Sequence, residues 1–160
     1  MNSFPEPHVA ALLRQLTQAG DLTAADGIHK RVLSIYDHWL SEEEADHDII
    51  SFSIFTSLPE YRFYLAEEDK FVRLFAALFR RGDLFYIDRE DTLLPLDSWP
   101  ALISLTTTGL REQGPFFLYA GPYQVILASA HDLNVAAYFL NLEQQEHFAE
   151  LARAYQLHLL

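Results

Sequence analysis

The chain has 160 residues, half of them hydrophobic and 21% charged, and its 23 Asp and Glu against 11 Lys and Arg give a net charge of −12. The length predicts one domain over residues 1–160, the composition excludes a disordered or collagen-like chain, and the negative charge excludes nucleic acid and anionic membranes as partners. The lack of cysteine excludes disulfides and thiolate chemistry, and with no long apolar run and no basic N-terminal region we expect a cytoplasmic protein.

Two helices are predicted at the start of the chain. In the first, Val9, Leu13 and Leu16 recur at helical spacing, and Gly20 stands where a C-terminal cap belongs. The second is predicted over residues 23–40. Its predicted capping pair is Thr23 with Asp26. The residues of its predicted apolar face are Ile28, Val32, Ile35, Tyr36 and Trp39.

The next segment is predicted to contain two strands and then a helix. Residues 49–58 have apolar side chains at the two-residue period of a strand, namely Ile50, Phe52 and Ile54. Residues 59–66 alternate in the same way and form a second, shorter predicted strand. From Glu67 onward the spacing is helical, and this helix is predicted to end before Gly82.

The second half of the chain is predicted to be mainly extended. Residues 83–88 and 92–97 form a predicted hairpin, and residues 98–113 form a predicted helix, with a loop containing one helical turn as the alternative. Three strands in a meander follow over residues 116–140. A helix closes the chain, and its apolar side is formed by Phe148, Leu151, Ala152, Tyr155 and Leu159.

This order of elements predicts the fold class. Strands that follow one another closely in sequence pair antiparallel. The chain is therefore predicted to be α+β, with an antiparallel sheet of about 5–6 strands flanked by about 4–5 helices that form a layer on the sheet.

Most of the negative charge lies between Asp37 and Asp69, where ten acidic residues accompany one base, Arg62. One interpretation is a solvated segment that adds only solubility. The other is a face that steers a cationic partner with its carboxylates and anchors it with two tyrosines. The residues of that predicted face are Glu42, Glu43, Glu44, Asp46, Asp48, Tyr61, Tyr64, Glu67, Glu68 and Asp69.

The sequence contains none of the common catalytic or cofactor motifs. It has no glycine-rich phosphate loop, no GxSxG elbow and no HExxH pair, and the acidic segment lacks EF-hand spacing, so no metal and no cofactor are predicted. The sharpest polar cluster is Ser129, His131 and Asp132 between two predicted strands. It is interpreted either as a strand-connecting turn or as a histidine base that a carboxylate orients.

Together these features predict a cytoplasmic protein without catalytic activity that binds and occludes a basic protein through an acidic face. An immunity protein that neutralises a toxin or effector is the example that fits best. Two alternatives stay open. One is a secretion chaperone that dimerises through apolar surface, and the other is a small-ligand sensor or enzyme with a pocket near His131.

Overall fold

A computed structural model describes residues 7–22, 27–88 and 92–160 of the chain. The predicted capping pair Thr23 and Asp26 lies outside the described residues, as does most of the predicted turn of the hairpin. The described helices are α1 (Pro7–Ala19), α2 (Glu42–Asp48), α3 (Leu58–Arg81), α4 (Trp99–Leu110) and α5 (Glu143–Ala154). None of these helices is long and apolar enough to cross a membrane.

In the described parts of the chain, seven strands form one antiparallel sheet in the order β3-β2-β4-β5-β6-β1-β7. They are β1 (His29–Ser34), β2 (Leu84–Ile87), β3 (Leu93–Pro95), β4 (Phe117–Ala120), β5 (Val125–Ser129), β6 (Val135–Phe139) and β7 (His158–Leu159). The predicted α+β class is therefore confirmed, with slightly more strands than predicted. The hairpin β2–β3 and the meander β4–β5–β6 are also confirmed.

Both faces of the sheet are buried. Along β5, Val125 and Leu127 point into one apolar core, whereas Ile126 and Ala128 point into the other, as the period of a strand requires. Helices α3, α4 and α5 cover the first face, and α1 covers the second. The expectation of a helical layer on the sheet therefore holds for three helices, while α1 lies on the opposite side.

The predicted second helix is wrong, because residues 29–34 form strand β1. This strand lies between β6 and β7, pairing His29 to Leu33 with Phe139 to Val135 and the end of the strand with β7. Leu33 and Ser34 are buried there. The apolar residues do recur at helical spacing, but β6 and β7 provide hydrogen-bond partners for the backbone of this segment on both sides.

The two strands predicted over residues 49–66 are also wrong. Residues 49–57 form turns and loop, and α3 begins at Leu58. A capping box starts this helix: the Glu60 amide donates to the Ser57 hydroxyl at 3.3 Å, and the Ser57 amide donates to the Glu60 carboxylate at 2.9 Å. This reciprocal pair satisfies two amides that have no partner within the helix, and it favours helix over strand from this point.

The last predicted helix is confirmed, but it is shorter than predicted. It ends at Ala154, and Gln156 has a left-handed backbone with φ of 59°. Leu159 therefore lies in β7 and pairs with Leu33 rather than extending the helix.

Candidate functional site

A groove of about 520 Å³ lies between α2 and the beginning of α3. We call it the α2–α3 groove; its walls are residues 36–40, α2, residues 49–55 and residues 60–64 of α3. Its apolar lining is formed by Leu40, Ile49, Ile50, Ile54, Phe55 and Phe63. This volume falls within the range of about 300–1,000 Å³ that is typical of ligand pockets, and the lining is predominantly apolar, as in such pockets.

Exposed hydrophobic side chains are frequent in residues 39–63, the part of the chain that supplies most of the groove lining. Among the described residues six large hydrophobic side chains are exposed, and four of them fall between positions 39 and 63: Trp39, Ile54, Leu58 and Phe63. Each of these four is more than half exposed, and two of them line the groove itself. Single exposed apolar residues are ordinary, but exposed apolar residues that line one groove are typical of an interaction surface.

Two carboxylates of α2, Glu44 and Asp48, line the same groove. Ser41 caps this helix, with its hydroxyl 3.3 Å from the Glu44 amide and its own amide 2.8 Å from the Glu44 carboxylate. Over the described parts of the chain, four exposed carboxylates of this helix have no ion-pair partner: Glu42, Glu43, Asp46 and Asp48. These four of the predicted site residues are therefore exposed, and their charge is not compensated by an ion pair within the described residues.

The three predicted site residues on α3 differ from the four unpaired carboxylates of α2, because each of the three pairs with a base. Glu67 pairs with Lys70 at 2.6 Å and Asp69 with Arg73 at 2.6 Å. Glu68 accepts two hydrogen bonds of 2.7 Å from Arg111, and its side chain is only 5% exposed. The charge of these three carboxylates is compensated within the protein, unlike that of Glu42, Glu43, Asp46 and Asp48.

The two predicted tyrosine anchors are not exposed on the groove. Tyr64 is 1% exposed, and its hydroxyl donates to the carbonyl of Leu110 at 3.1 Å. Tyr61 is half-buried, with its ring centroid 5.0 Å from that of Phe55. Because these residues lie on a helix, Tyr64 faces the core while Phe63 faces solvent. Phe63 is the exposed aromatic residue here, and the interpretation of this segment as a strand had missed it.

Tyr36 lines the groove and is tied to α2. Its hydroxyl donates to the backbone carbonyl of Asp48 at the end of α2. Burial raises the pKa of Tyr36 to about 12, and the negative charges of Asp48, Glu67 and Asp132 add to this rise. The hydroxyl therefore stays protonated at neutral pH and remains a hydrogen-bond donor that holds α2 in place.

A polar cluster centred on Glu112 holds the loop wall of the groove. The Ser51 hydroxyl and the Asp132 amide donate to Glu112 Oε1 at 3.1 and 3.0 Å, and His131 Nδ1 lies 3.1 Å from Glu112 Oε2. Burial would raise the pKa of Glu112, but these three hydrogen bonds outweigh it and lower that pKa. Arg111 next to it packs over the ring of Phe52 at 5.2 Å. Neither Arg111 nor Glu112 was identified in the sequence, because no motif marks them.

The structure does not bring His131 and Asp132 together as a base and its orienting carboxylate. The His131 ring contacts Glu112 instead, and its side chain is 86% exposed. Burial, together with the charge of Glu112, raises the pKa of Asp132. The Ser129 hydroxyl accepts from the Phe116 amide at 3.0 Å. The turn interpretation of this segment fits these contacts, and the pocket predicted near His131 gains no support from them.

No protein-family model, curated protein or solved structure matches this chain. Within the described ranges, no group of three or more His, Asp or Glu side chains is placed to hold a metal ion. The case for a function therefore rests on the α2–α3 groove and its charges.

His38, on the rim of the groove, gives a pH-dependent prediction. Its ring nitrogens lie 2.7 Å from Asp37 Oδ1 and 3.2 Å from Glu44 Oε1, and these carboxylates raise the pKa of His38. Because the folded pKa is raised, the stabilisation from the protonated ring is present below the unfolded pKa of about 6.5 and is lost as the pH rises through the folded pKa. We expect Asp37→Asn to lower the pKa of His38, measured by NMR titration of the imidazole protons.

The matched control is Glu43→Gln, which removes one exposed carboxylate that does not contact His38. It should leave the pKa of His38 almost unchanged. Equal pKa shifts in the two variants would show that the net charge of the segment, rather than the Asp37 contact, controls this histidine.

Proposed function

We propose that this chain is a protein-binding domain without catalytic activity that binds and occludes a basic protein through the α2–α3 groove. The observation that carries the proposal is a groove lined by the exposed apolar side chains Ile54 and Phe63 and by the unpaired carboxylate of Asp48. Apolar centres supply most of the affinity of protein interfaces, and charges around them mainly increase the association rate and select the partner. Neutralisation of a cationic toxin or effector, as by an immunity protein, is the role that we propose for such binding.

The partner can be trapped with a photo-crosslinking amino acid placed at position 63. Position 142 is the matched control, because Phe63 and Leu142 are both more than half exposed but Leu142 lies at the start of α5, away from the groove lining. In the host cells, we expect a basic protein to crosslink at position 63 and not at position 142. The absence of a position-specific crosslink, or an acidic crosslinked protein, contradicts the proposal.

Purified partner then permits a charge-reversal prediction. We expect Glu42→Lys with Glu43→Lys to slow association by about tenfold or more at low salt, with a much smaller difference at high salt, because steering is screened over a Debye length. The control is Glu143→Lys with Glu150→Lys, two exposed carboxylates of α5, which changes the net charge equally. Stopped-flow or biolayer-interferometry measurements give the association rate constants of both variants.

These rates separate a docking face from general electrostatics. If the α5 variant slows association as much as the α2 variant, attraction by the whole molecule explains binding. If neither variant changes the rate, the acidic segment contributes only solubility. Both variants should melt within a few degrees of the parent protein, because all four carboxylates are exposed.

A further inference from the structure

We propose that the α2–α3 groove receives an apolar side chain flanked by arginine or lysine in a segment of its partner, and that Asp48 pairs with the flanking cation. The inference rests on the proposed function and specifies its ligand. Asp48 both lines the groove and stands at the end of α2, beside the apolar residue Ile49. One partner segment can therefore contact the apolar lining and this carboxylate together.

The three carboxylates that line the groove differ in the acceptors they have left. Glu44 uses one oxygen for the Ser41 amide and the other for His38, whereas Glu60 accepts from the amides of Thr56 and Ser57 through Oε2 and keeps only Oε1 open. The Asp48 carboxylate has no hydrogen-bond or ion-pair partner anywhere in residues 7–22, 27–88 and 92–160. Asp48 is thus the lining residue best able to accept a partner's cation.

The position of Asp48 on its helix also favours pairing with a cation. The last turn of a helix concentrates unpaired carbonyls and the negative end of the macrodipole, so a carboxylate there is disfavoured. Asp46 and Asp48 both occupy the last turn of α2, with only His47 as a possible counter-charge. A cation docked in the groove beside Asp48 relieves this repulsion, which an anionic or neutral ligand does not.

The groove chemistry also selects among possible occupants. A second copy of this chain would bring its own net charge of −12 against the same rim, and phosphates or anionic lipid would be repelled in the same way. A purely cationic segment would leave Ile49, Ile54 and Phe63 in contact with water. A segment that carries an apolar residue between cations can bury that residue against the apolar lining and pair a cation with Asp48.

Short synthetic peptides test this inference on the full chain. The probe has one leucine between two pairs of arginines; one comparison peptide replaces the leucine with serine, and another replaces the arginines with glutamine. In NMR titrations, we expect the probe to shift the signals of Ile49, Ile54 and Phe63, and we expect each comparison peptide to bind at least about fivefold more weakly.

Two variants, with a third as their control, assign the roles of single residues. Asp48→Asn should weaken binding of the arginine probe about threefold to fivefold and leave binding of the glutamine peptide unchanged. Asp46→Asn is the matched control, because Asp46 is an exposed carboxylate of the same turn that does not line the groove. Phe63→Ser should weaken both peptides about tenfold. Both Asp variants remove one exposed carboxylate, and circular dichroism should show the parent fold.

Several results would overturn the inference. They are no binding at millimolar peptide, shifts outside the groove, equal binding of the leucine and serine peptides, and equal effects of the two Asp variants. If a basic protein nevertheless crosslinks at position 63 with salt-dependent kinetics, the proposed function stands and only the ligand assignment is wrong. If that crosslink is also absent, both are wrong.

Discussion

Glu68→Ala is expected to lower the free energy of unfolding by about 3 kcal/mol. The Glu68 side chain is 5% exposed and accepts both hydrogen bonds of a bidentate pair with Arg111. Removing one partner of a buried pair typically costs about 3–5 kcal/mol, because the other charge is left without compensation. The lower end of this range applies here, because the Arg111 side chain is 28% exposed and its charge can be partly hydrated when Glu68 is removed. Urea unfolding gives the change from the midpoint and the slope.

The neighbouring residue supplies the control. Asp69 is also a carboxylate of α3 paired with an arginine, Arg73, but both side chains are largely exposed. Asp69→Ala should change the free energy of unfolding by less than about 1 kcal/mol, since exposed pairs contribute little. Similar losses in the two variants would contradict the view that burial makes the Glu68 pair important.

The Glu68 pair also bears on the groove. It ties α3 to the end of α4, where Arg111 stacks on Phe52 and Glu112 binds Ser51. Residues 49–55 form a wall of the groove, so we expect Glu68→Ala to disturb this wall before the protein unfolds globally. Amide exchange should then increase in residues 49–55 more than in the central strands β5 and β6.

Gly109→Ala is expected to lower the free energy of unfolding by about 2 kcal/mol. A Cβ at this buried position of α4 would overlap Cδ1 of Phe116 and lie 2.9 Å from Cε1 of the same ring. The ring cannot easily move, because Phe116 is 1% exposed and packs edge-on against Phe75 at 5.5 Å. Overpacking costs about 1–3 kcal/mol or more, which exceeds the gain of up to about 1 kcal/mol from the better helix propensity of alanine.

Gly114 provides the matched substitution. A Cβ there would meet only Thr108 Cγ2, at an ordinary contact distance of 3.5 Å. Gly114→Ala should therefore be neutral, or stabilising by up to about 1 kcal/mol because it restricts the unfolded chain. If thermal unfolding shows the same loss for both variants, the steric account of Gly109 is wrong.

Local patterns predicted much of the fold correctly. Ser98 caps α4 with a hydroxyl that accepts from the Ala101 amide, and the meander over residues 117–139 follows the β-forming composition of that segment. The start of α3 was also present in the sequence as Ser57 with Glu60 three residues later, the same capping pattern as Ser41 with Glu44. The alternation of Ile50, Phe52 and Ile54 favours a strand, and the prediction followed this alternation rather than the capping pattern.

Strand β1 could not be predicted in this way. Its residues have apolar side chains at helical spacing, yet it pairs with β6, about a hundred residues later in the chain, and with β7 at the C-terminal end. Propensity and periodicity describe neighbours in sequence, whereas the hydrogen bonds that decide β1 come from distant segments.

The same distinction holds for the candidate site. The sequence by itself determined that negative charge is concentrated between Asp37 and Asp69, because this depends only on composition. Only the tertiary structure decided which of these charges are left without an ion-pair partner. It pairs Glu68 with Arg111, 43 positions away, buries Tyr64 and leaves Asp48 and Phe63 on a groove. Ion pairs and burial depend on which residues the fold brings within a few ångströms, and sequence spacing does not specify that distance.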